Sequence, residues 1–255
     1  LPTLNNSKNL NNFLYSVSTD EEINSMVEII IIDQSESNKT KTICTKFNKK
    51  FTNSIIYRKS RHLGLSVNRN KGLQIATGDI IAFPDDDCIY YPDTLKKVTT
   101  YFSNPQYEHY DAFLGQIYDK NKNQPLIKNW PQRNVKVSKL NFYQLCSSIT
   151  IFSRRNKINF NEQMGSGAQY GSCEDADFIY NMLIAGKKIL YNSDIMVWHP
   201  EIDNNKVSLN RVEGYASGLG YFIANNISII KIGLLCGCII TKCLQLILHY
   251  KKYRR

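Results

Sequence analysis

Three consecutive carboxylates, Asp85, Asp86 and Asp87, close a short apolar run that starts at Gly78-Asp79 and passes through Ile80, Ile81, Ala82, Phe83 and Pro84. A β-rich run bounded by Gly and Pro, too short for a typical helix, reads as a strand. Like charges a few ångströms apart repel and raise one another's pKa unless a cation neutralises them. Two readings follow: a solvated acidic turn, or a divalent-cation site, for which hard oxygen ligands suit Mg²⁺ or Mn²⁺ and leave positions for water and phosphate oxygens. Further along, Glu174-Asp175 opens a helical stretch, where acids also simply favour the helix dipole. His199 closes a short strand, as the Asp triplet does, and is read either as a packed core histidine or as a metal ligand.

The elements that must position these groups alternate. Leu1 to Asn5 reads as the end of a strand entering a loop, followed by a helix over 7–17 with Leu10, Phe13, Leu14 and Val17 on one face. Val27 to Ile32 is a nearly continuous β-branched run, as in a parallel strand buried on both faces, with Asp33-Gln34-Ser35 at its carboxyl end. In open α/β sheets that end binds ligands. A third strand is expected over 54–57 and a helix over 65–76 that carries Arg69 and Lys71 toward the acidic strand. Strands alternating with helices predict an α/β, Rossmann-like, mainly parallel sheet flanked by helices. A helix to Phe102, strands over 111–118 and 146–152, a long basic loop over 120–139, a helix over 173–185, and short strands over 189–191 and 195–198 complete the expected catalytic region. Gly165-Ser166-Gly167, just before Glu174, reads either as a pocket-shaping segment or as a surface loop. No G-x-G-x-x-G or Walker loop occurs, so dinucleotide and P-loop chemistry lack support.

With 255 residues, 42% of them hydrophobic and 21% charged, the chain has the composition of a globular protein. Its seven cysteines have no C-x-x-C spacing, which predicts reduced, cytosolic thiols rather than a disulfide framework or zinc cluster. Residues 1–20 are polar and Asn-rich, so no secretory signal is expected. The net charge of +10 is uneven: after Glu213 there is no acidic residue, while Lys231, Lys242, Lys251, Lys252, Arg254 and Arg255 lie there. Apolar residues between these cations favour an anionic membrane over nucleic acid as the partner.

The pieces Pro2-Thr3-Leu4-Asn5, Ile32-Asp33-Gln34-Ser35, Arg69-Asn70-Lys71-Gly72, Gly78-Asp79 through the Asp triplet, Glu174-Asp175 and His199-Pro200 occur in an order that resembles a family 2 glycosyltransferase of the GT-A fold. The resemblance runs from residue 1 to about residue 220. It implies that Thr3 and Asp33 hold the nucleotide base, that Arg69 contacts the donor nucleotide, and that Asp85 to Asp87 form the D-x-D motif, Asp85 toward the ribose and Asp87 toward the metal. It further implies that Asp175 is the catalytic base, that Glu174 supports it, and that His199 completes the metal or diphosphate site. The activity expected is inverting transfer, dependent on Mn²⁺ or Mg²⁺, from a nucleotide-sugar, UDP-sugars favoured, to a glycan or lipid-linked glycan acceptor in surface polysaccharide synthesis. A sugar nucleotidyltransferase would carry a Gly-rich basic loop near its N-terminus, which is missing here, and a non-catalytic carbohydrate-binding protein would be expected to have lost part of the acidic set.

Residues 1–205 are therefore expected to form the catalytic domain, with 1–100 binding nucleotide and 101–205 binding acceptor, and 206–255 a basic, amphipathic helical extension. A helix is expected over 207–226, where Tyr215, Tyr221 and Phe222 could cross the mouth of the site and the glycines allow close packing. Residues 228–249 are long and apolar enough to reach across a bilayer at about 1.5 Å per residue. Lys231, Lys242, Gln245 and His249 fall on one narrow stripe, however, which favours a helix lying in the interface on the cytoplasmic face of a membrane, as a peripheral, monotopic attachment; the alternative is burial of this helix against the catalytic domain or a partner subunit.

Overall fold

The computed structural model describes residues 1–49, 55–201, 208–225, 227–237 and 239–241. The expected strand start at Ser54, the helix ends at Val207 and Asn226, the domain boundary at 205 and the stretch 242–255 lie outside the described residues.

Strands β1 (Pro2–Thr3), β2 (Ile29–Asp33) and β3 (Ile55–Lys59) form a parallel sheet in the order β1-β2-β3, in which Thr3 pairs with Asp33 and Asp33 with Lys59. Helix α1 (Ser7–Val17) buries Leu10, Phe13, Leu14 and Val17, the stripe its spacing predicts. Helices α2 (Glu21–Met26) and α3 (Lys39–Phe47) follow, α3 burying Thr40, Cys44 and Phe47. Helix α4 (Leu65–Ile75) is different, because its buried positions include Ser66, Asn68, Arg69 and Asn70. Polar side chains are stable there only when bonded: Asn70, for example, donates to Phe160 O and accepts from Phe160 N, both at 2.9 Å.

The second sheet has the order β4-β9-β6-β10-β5, built from β4 (Ile80–Ala82), β5 (Ile89–Tyr90), β6 (Ala112–Asp119), β9 (Ile151–Arg154) and β10 (Ile189–Trp198). Only β6 and β10 run parallel in it, so the mainly parallel expectation holds for the first sheet and the second is mixed. The strand expected over 146–152 starts later. Helix α6 (Phe142–Leu145) leads into a 3-10 turn, Ser148–Thr150, whose Thr150 N–H and hydroxyl both bond Ser147 O at 3.0 Å, a local alternative to the ladder. The long basic loop is pinned by two short strands, β7 (Gln124–Pro125) on β6 and β8 (Val135–Lys136) on β10. Between them Trp130 is buried, stacks on Tyr191 at 6.2 Å and donates to Leu126 O at 2.9 Å.

The two short strands expected near 189–198 are one strand with a register shift between Tyr191 and Met196. The irregular segment presses on β6: a Cβ at Gly115 would lie 2.5 Å from Ile195 O. Replacing Gly115 by Ala is expected to cost about 1–3 kcal/mol as overpacking, read as a lowered urea midpoint at unchanged slope. Helix α5 (Thr94–Ser103) packs on β10, α7 (Glu174–Ile184) opens with the acidic pair, and α8 (Leu209–Ala224) crosses the segment before it. Residues 229–237 and 239–241 are helical. Among the described residues no helix is long and apolar enough to cross a membrane.

A cavity of about 680 Å³ lies between the sheets, lined by Phe13, Ile29, Ile80, Ala82, Tyr90 and Phe152 among others, and none of the site carboxylates described next faces it.

Candidate active site

The three acids at the end of β4 point in different directions. Asp86 turns back to the start of the chain, where it accepts from the Thr3 hydroxyl at 2.5 Å and from Asn6 Nδ2 at 2.6 Å. Burial pushes its pKa up to about 6 despite those bonds, and the charges of Asp87 and Asp85 push the same way. Thr3, expected at the base, thus spends its hydroxyl proton on the turn. Asp85 and Asp87 are partly open and converge with His199: one ligand atom from each lies within 4.8 Å of the other two. His199 Nδ1 bonds Pro200 O at 2.7 Å, which turns Nε2 toward Asp87 Oδ1 at 3.4 Å. Burial alone would lower the pKa of His199, but the hydrogen bond and charge of Asp87 outweigh it and raise it. Asp87 is held below its ordinary value, chiefly by the His199 hydrogen bond, with the charge of Arg211 adding to the effect. Two carboxylates and an imidazole whose Nδ1 is already bonded form a donor set that fits Mn²⁺ or Mg²⁺, and Asp85 joins it although the sequence pointed it at the ribose.

Arg69 links this corner to the acidic pair on α7. Its guanidinium donates to Asp85 Oδ1 at 2.8 Å, Ser148 Oγ at 2.9 Å and Glu174 Oε1 at 3.1 Å, and lies 5.2 Å over the Phe160 ring. Phe160 belongs to an aromatic cluster with Phe83 and Phe178, so the cation sits on an apolar floor. With its side chain 1% exposed, Arg69 acts here as the counter-ion of two carboxylates. The Glu174 pKa is raised to about 7 by burial and by the charge of Asp175, with Arg69 opposing.

Cys173, in the left-handed conformation at φ 64°, starts α7 and turns the next two residues into the site. Asp175 accepts its own helix's Ala176 N–H at 2.8 Å through Oδ1, and Oδ2 has no protein partner among the described residues. In the Gly165-Ser166-Gly167 segment Gly165 is buried while Ser166 and Gly167 are exposed; Ser166 O accepts from Leu65 N at 2.9 Å, and a Cβ at Gly165, where φ is 98°, would lie 3.2 Å from Glu174. It therefore braces Glu174 against the start of α4.

Asp33 stands apart from this group. Fully buried, it accepts from Tyr57 OH at 2.8 Å, Ser35 N at 2.9 Å and Lys59 Nζ at 3.4 Å. Burial opposes its charge, but the bonds from Ser35 and Tyr57 and the charge of Lys59 keep its pKa low. The ladder to Thr3 connects it with the Asp turn.

Tyr57, Ser148, Phe160 and Arg211 are site neighbours that the sequence reading missed. Arg211 could have been found as the first cation of the helix that follows His199-Pro200; it donates to Tyr215 OH at 2.7 Å. Tyr215 stays exposed, whereas Tyr221 stacks on Tyr170 at 3.9 Å and Phe222 is buried against Phe142 and Tyr180. Helix α8 approaches by its glycines, as expected: a Cβ at Gly218 would lie 2.3 Å from Ser172 Oγ, and one at Gly171 would lie 2.8 Å from Gly214 Cα.

Residues 1–165 match the family model described as Glycosyl transferase family 2. The chain is 30% identical over 82 residues to the minor teichoic acid biosynthesis protein GgaB of Bacillus subtilis (strain 168), covering 32% of this chain and 9% of that protein. It is 21% identical over 214 residues to glycosyltransferase AglE of Haloferax volcanii, covering 78% of this chain and 65% of that protein. It thus spans less than two thirds of either relative. S. aureus TarS superposes with a TM-score of 0.66 at 20% identity, over 89% of this chain and 39% of that one. The mannosyltransferase PcManGT of Pyrobaculum calidifontis, solved with GDP-Man and Mn²⁺, gives 0.55 at 12% identity, over 94% and 78%. At such identities the two structures speak to the fold, which is GT-A. Since the family model covers well over half of the residues, the chain belongs to glycosyl transferase family 2.

Proposed function

We propose that this glycosyltransferase is an inverting, metal-dependent enzyme that moves a sugar from a UDP-sugar to a glycan or lipid-linked glycan of a surface polymer. The observation that carries the reading is the Arg69 bridge, which ties the Asp85–Asp87–His199 cluster through Glu174 to the helix whose first turn carries Asp175. A donor-side cation site and an acceptor-side base are thereby held on one rigid frame. TarS has been solved with UDP and with UDP-GlcNAc, and GgaB is described by teichoic acid synthesis, which supports the uridine donor and the surface polymer.

Asp85, Asp87 and His199 would hold Mn²⁺ or Mg²⁺. Such an ion, when bound, neutralises charge on a departing diphosphate as a Lewis acid. Asp175 Oδ2 takes the proton of the acceptor hydroxyl as that oxygen attacks the anomeric carbon from the face opposite the diphosphate, so the configuration inverts. Glu174 and Arg69 hold Asp175 and Asp85 in place. Thr3 and Asp33 shape the end of the first sheet where the base would rest, within a donor-binding half over 1–100, and 101–205 supplies the acceptor side. Purified protein with Mn²⁺ or Mg²⁺ is expected to gain thermal stability with UDP above other nucleoside diphosphates and to turn over a UDP-sugar. If no nucleotide-sugar in a panel is bound or cleaved with either ion, the reading fails.

A further inference from the structure

The C-terminal helix lies with the opposite side out from the one its sequence suggests. Periodicity puts Lys231 on a polar stripe, expected to face water and lipid headgroups, yet Lys231 is 1% exposed. Its Nζ donates to Phe222 O at 2.7 Å and to Asn225 O, and lies 4.2 Å from the Phe222 ring and 4.7 Å from that of Tyr180. The carbonyls at the end of α8 are unsatisfied by their own helix and carry the negative end of its dipole, so a lysine is a suitable cap. Leu234 and Leu235 pack on the core from the same side.

This docking leaves the apolar side uncovered. Ile229 is 89% exposed, Ile232 47%, Ile239 53% and Ile240 58%, and at about 100° per residue they share one face with Cys236. Among the described residues nothing lies within 4 Å of a Cβ at Gly233 or Gly237. Soluble proteins rarely leave such a patch without a partner.

We infer that this isoleucine face is an interfacial docking surface for an anionic lipid leaflet, with Lys231 serving as the internal peg that sets its orientation. Charge decides between lipid and a second copy of the chain. After Glu213 the sequence adds no acid and, besides the buried Lys231, five cations, so two copies meeting face to face would repel, whereas an anionic leaflet attracts them. The inference concerns attachment alone and stands whether or not the donor is a UDP-sugar.

Co-sedimentation of the full chain tests it, with vesicles of phosphatidylcholine alone and of phosphatidylcholine mixed with phosphatidylglycerol. Binding is expected to the mixed vesicles, to weaken at high salt, and to fall at least about tenfold in the Ile232→Glu, Ile239→Glu double variant. These positions are exposed and belong to none of the proposed catalytic or metal-holding groups, so the variant should keep the wild-type circular dichroism spectrum and nucleotide-sugar turnover. Equal binding by wild type and variant, no binding to mixed vesicles, or a dimer in analytical ultracentrifugation that the double variant converts to monomer would each overturn the inference.

Discussion

Replacing Asp175 by Asn is expected to lower glycosyl transfer by about 10²–10⁴-fold, the usual contribution of a positioned general base. The amide keeps the shape and can hold the Ala176 contact through its oxygen, so the start of α7 should not move. What it loses is the lone pair of charge-bearing Oδ2. Binding of the donor diphosphate, measured by calorimetry with Mn²⁺ present, should remain within a few fold of wild type. A fall in turnover without a fall in donor affinity separates the base from the donor site; unchanged turnover removes Asp175 from the mechanism, and loss of both would mean that α7 also shapes the donor pocket.

The largest effect on stability is expected at Arg69. Substitution by Met fills much of the same volume over Phe160 but leaves the buried Glu174 and the partly open Asp85 without their shared counter-ion. Breaking one partner of a buried ionic group costs about 3–5 kcal/mol, and chemical denaturation should show a loss of that order near neutral pH. The sign of its pH dependence follows from Glu174. Its folded pKa already lies above the model-peptide value, at about 7, because of burial and Asp175, and Arg69 is the opposing influence that Met removes. A carboxyl whose folded pKa is raised binds more protons folded than unfolded, so stability falls as pH rises between the two values. The deficit of the Met variant should accordingly shrink on acidification from about pH 8 to about pH 5.5. A deficit that grows on acidification would show that Glu174 is not the group left uncompensated.

What could be read from the sequence follows from how each residue is held. The buried stripe of α1 and the run Ile29–Ile32 announce themselves because apolar burial repeats with the period of the element. The order of the acidic motifs points to candidate catalytic residues by type. Their mutual arrangement is less legible, since Arg69 and Glu174 are 105 positions apart and the bond between them exists only after both sheets have formed. Helix α4 hides its function in the same way: Ser66, Asn68, Arg69 and Asn70 are buried polar groups, and a hydrophobic pattern assigns such positions to the surface. Asp33 illustrates a different limit, because the hydroxyl that satisfies it comes from Tyr57 on the neighbouring strand. At Lys231 periodicity could not say which side of the helix the domain would cover, and the other members of its stripe lie outside the described residues.

The contact between Gly218 and Ser172 has a consequence for reach. With no room for a methyl group between them, α8 and the segment entering α7 cannot slide past each other. Lys231 in turn locks the last described helix to the end of α8. These two contacts set the separation between the face that carries Ile229 to Ile240 and the carboxylate of Asp175. If that face rests on a leaflet and Asp175 is the base, as proposed above, a membrane-tethered acceptor would have to match this span for its hydroxyl to reach the carboxylate, and acceptor length would then act as a selection rule.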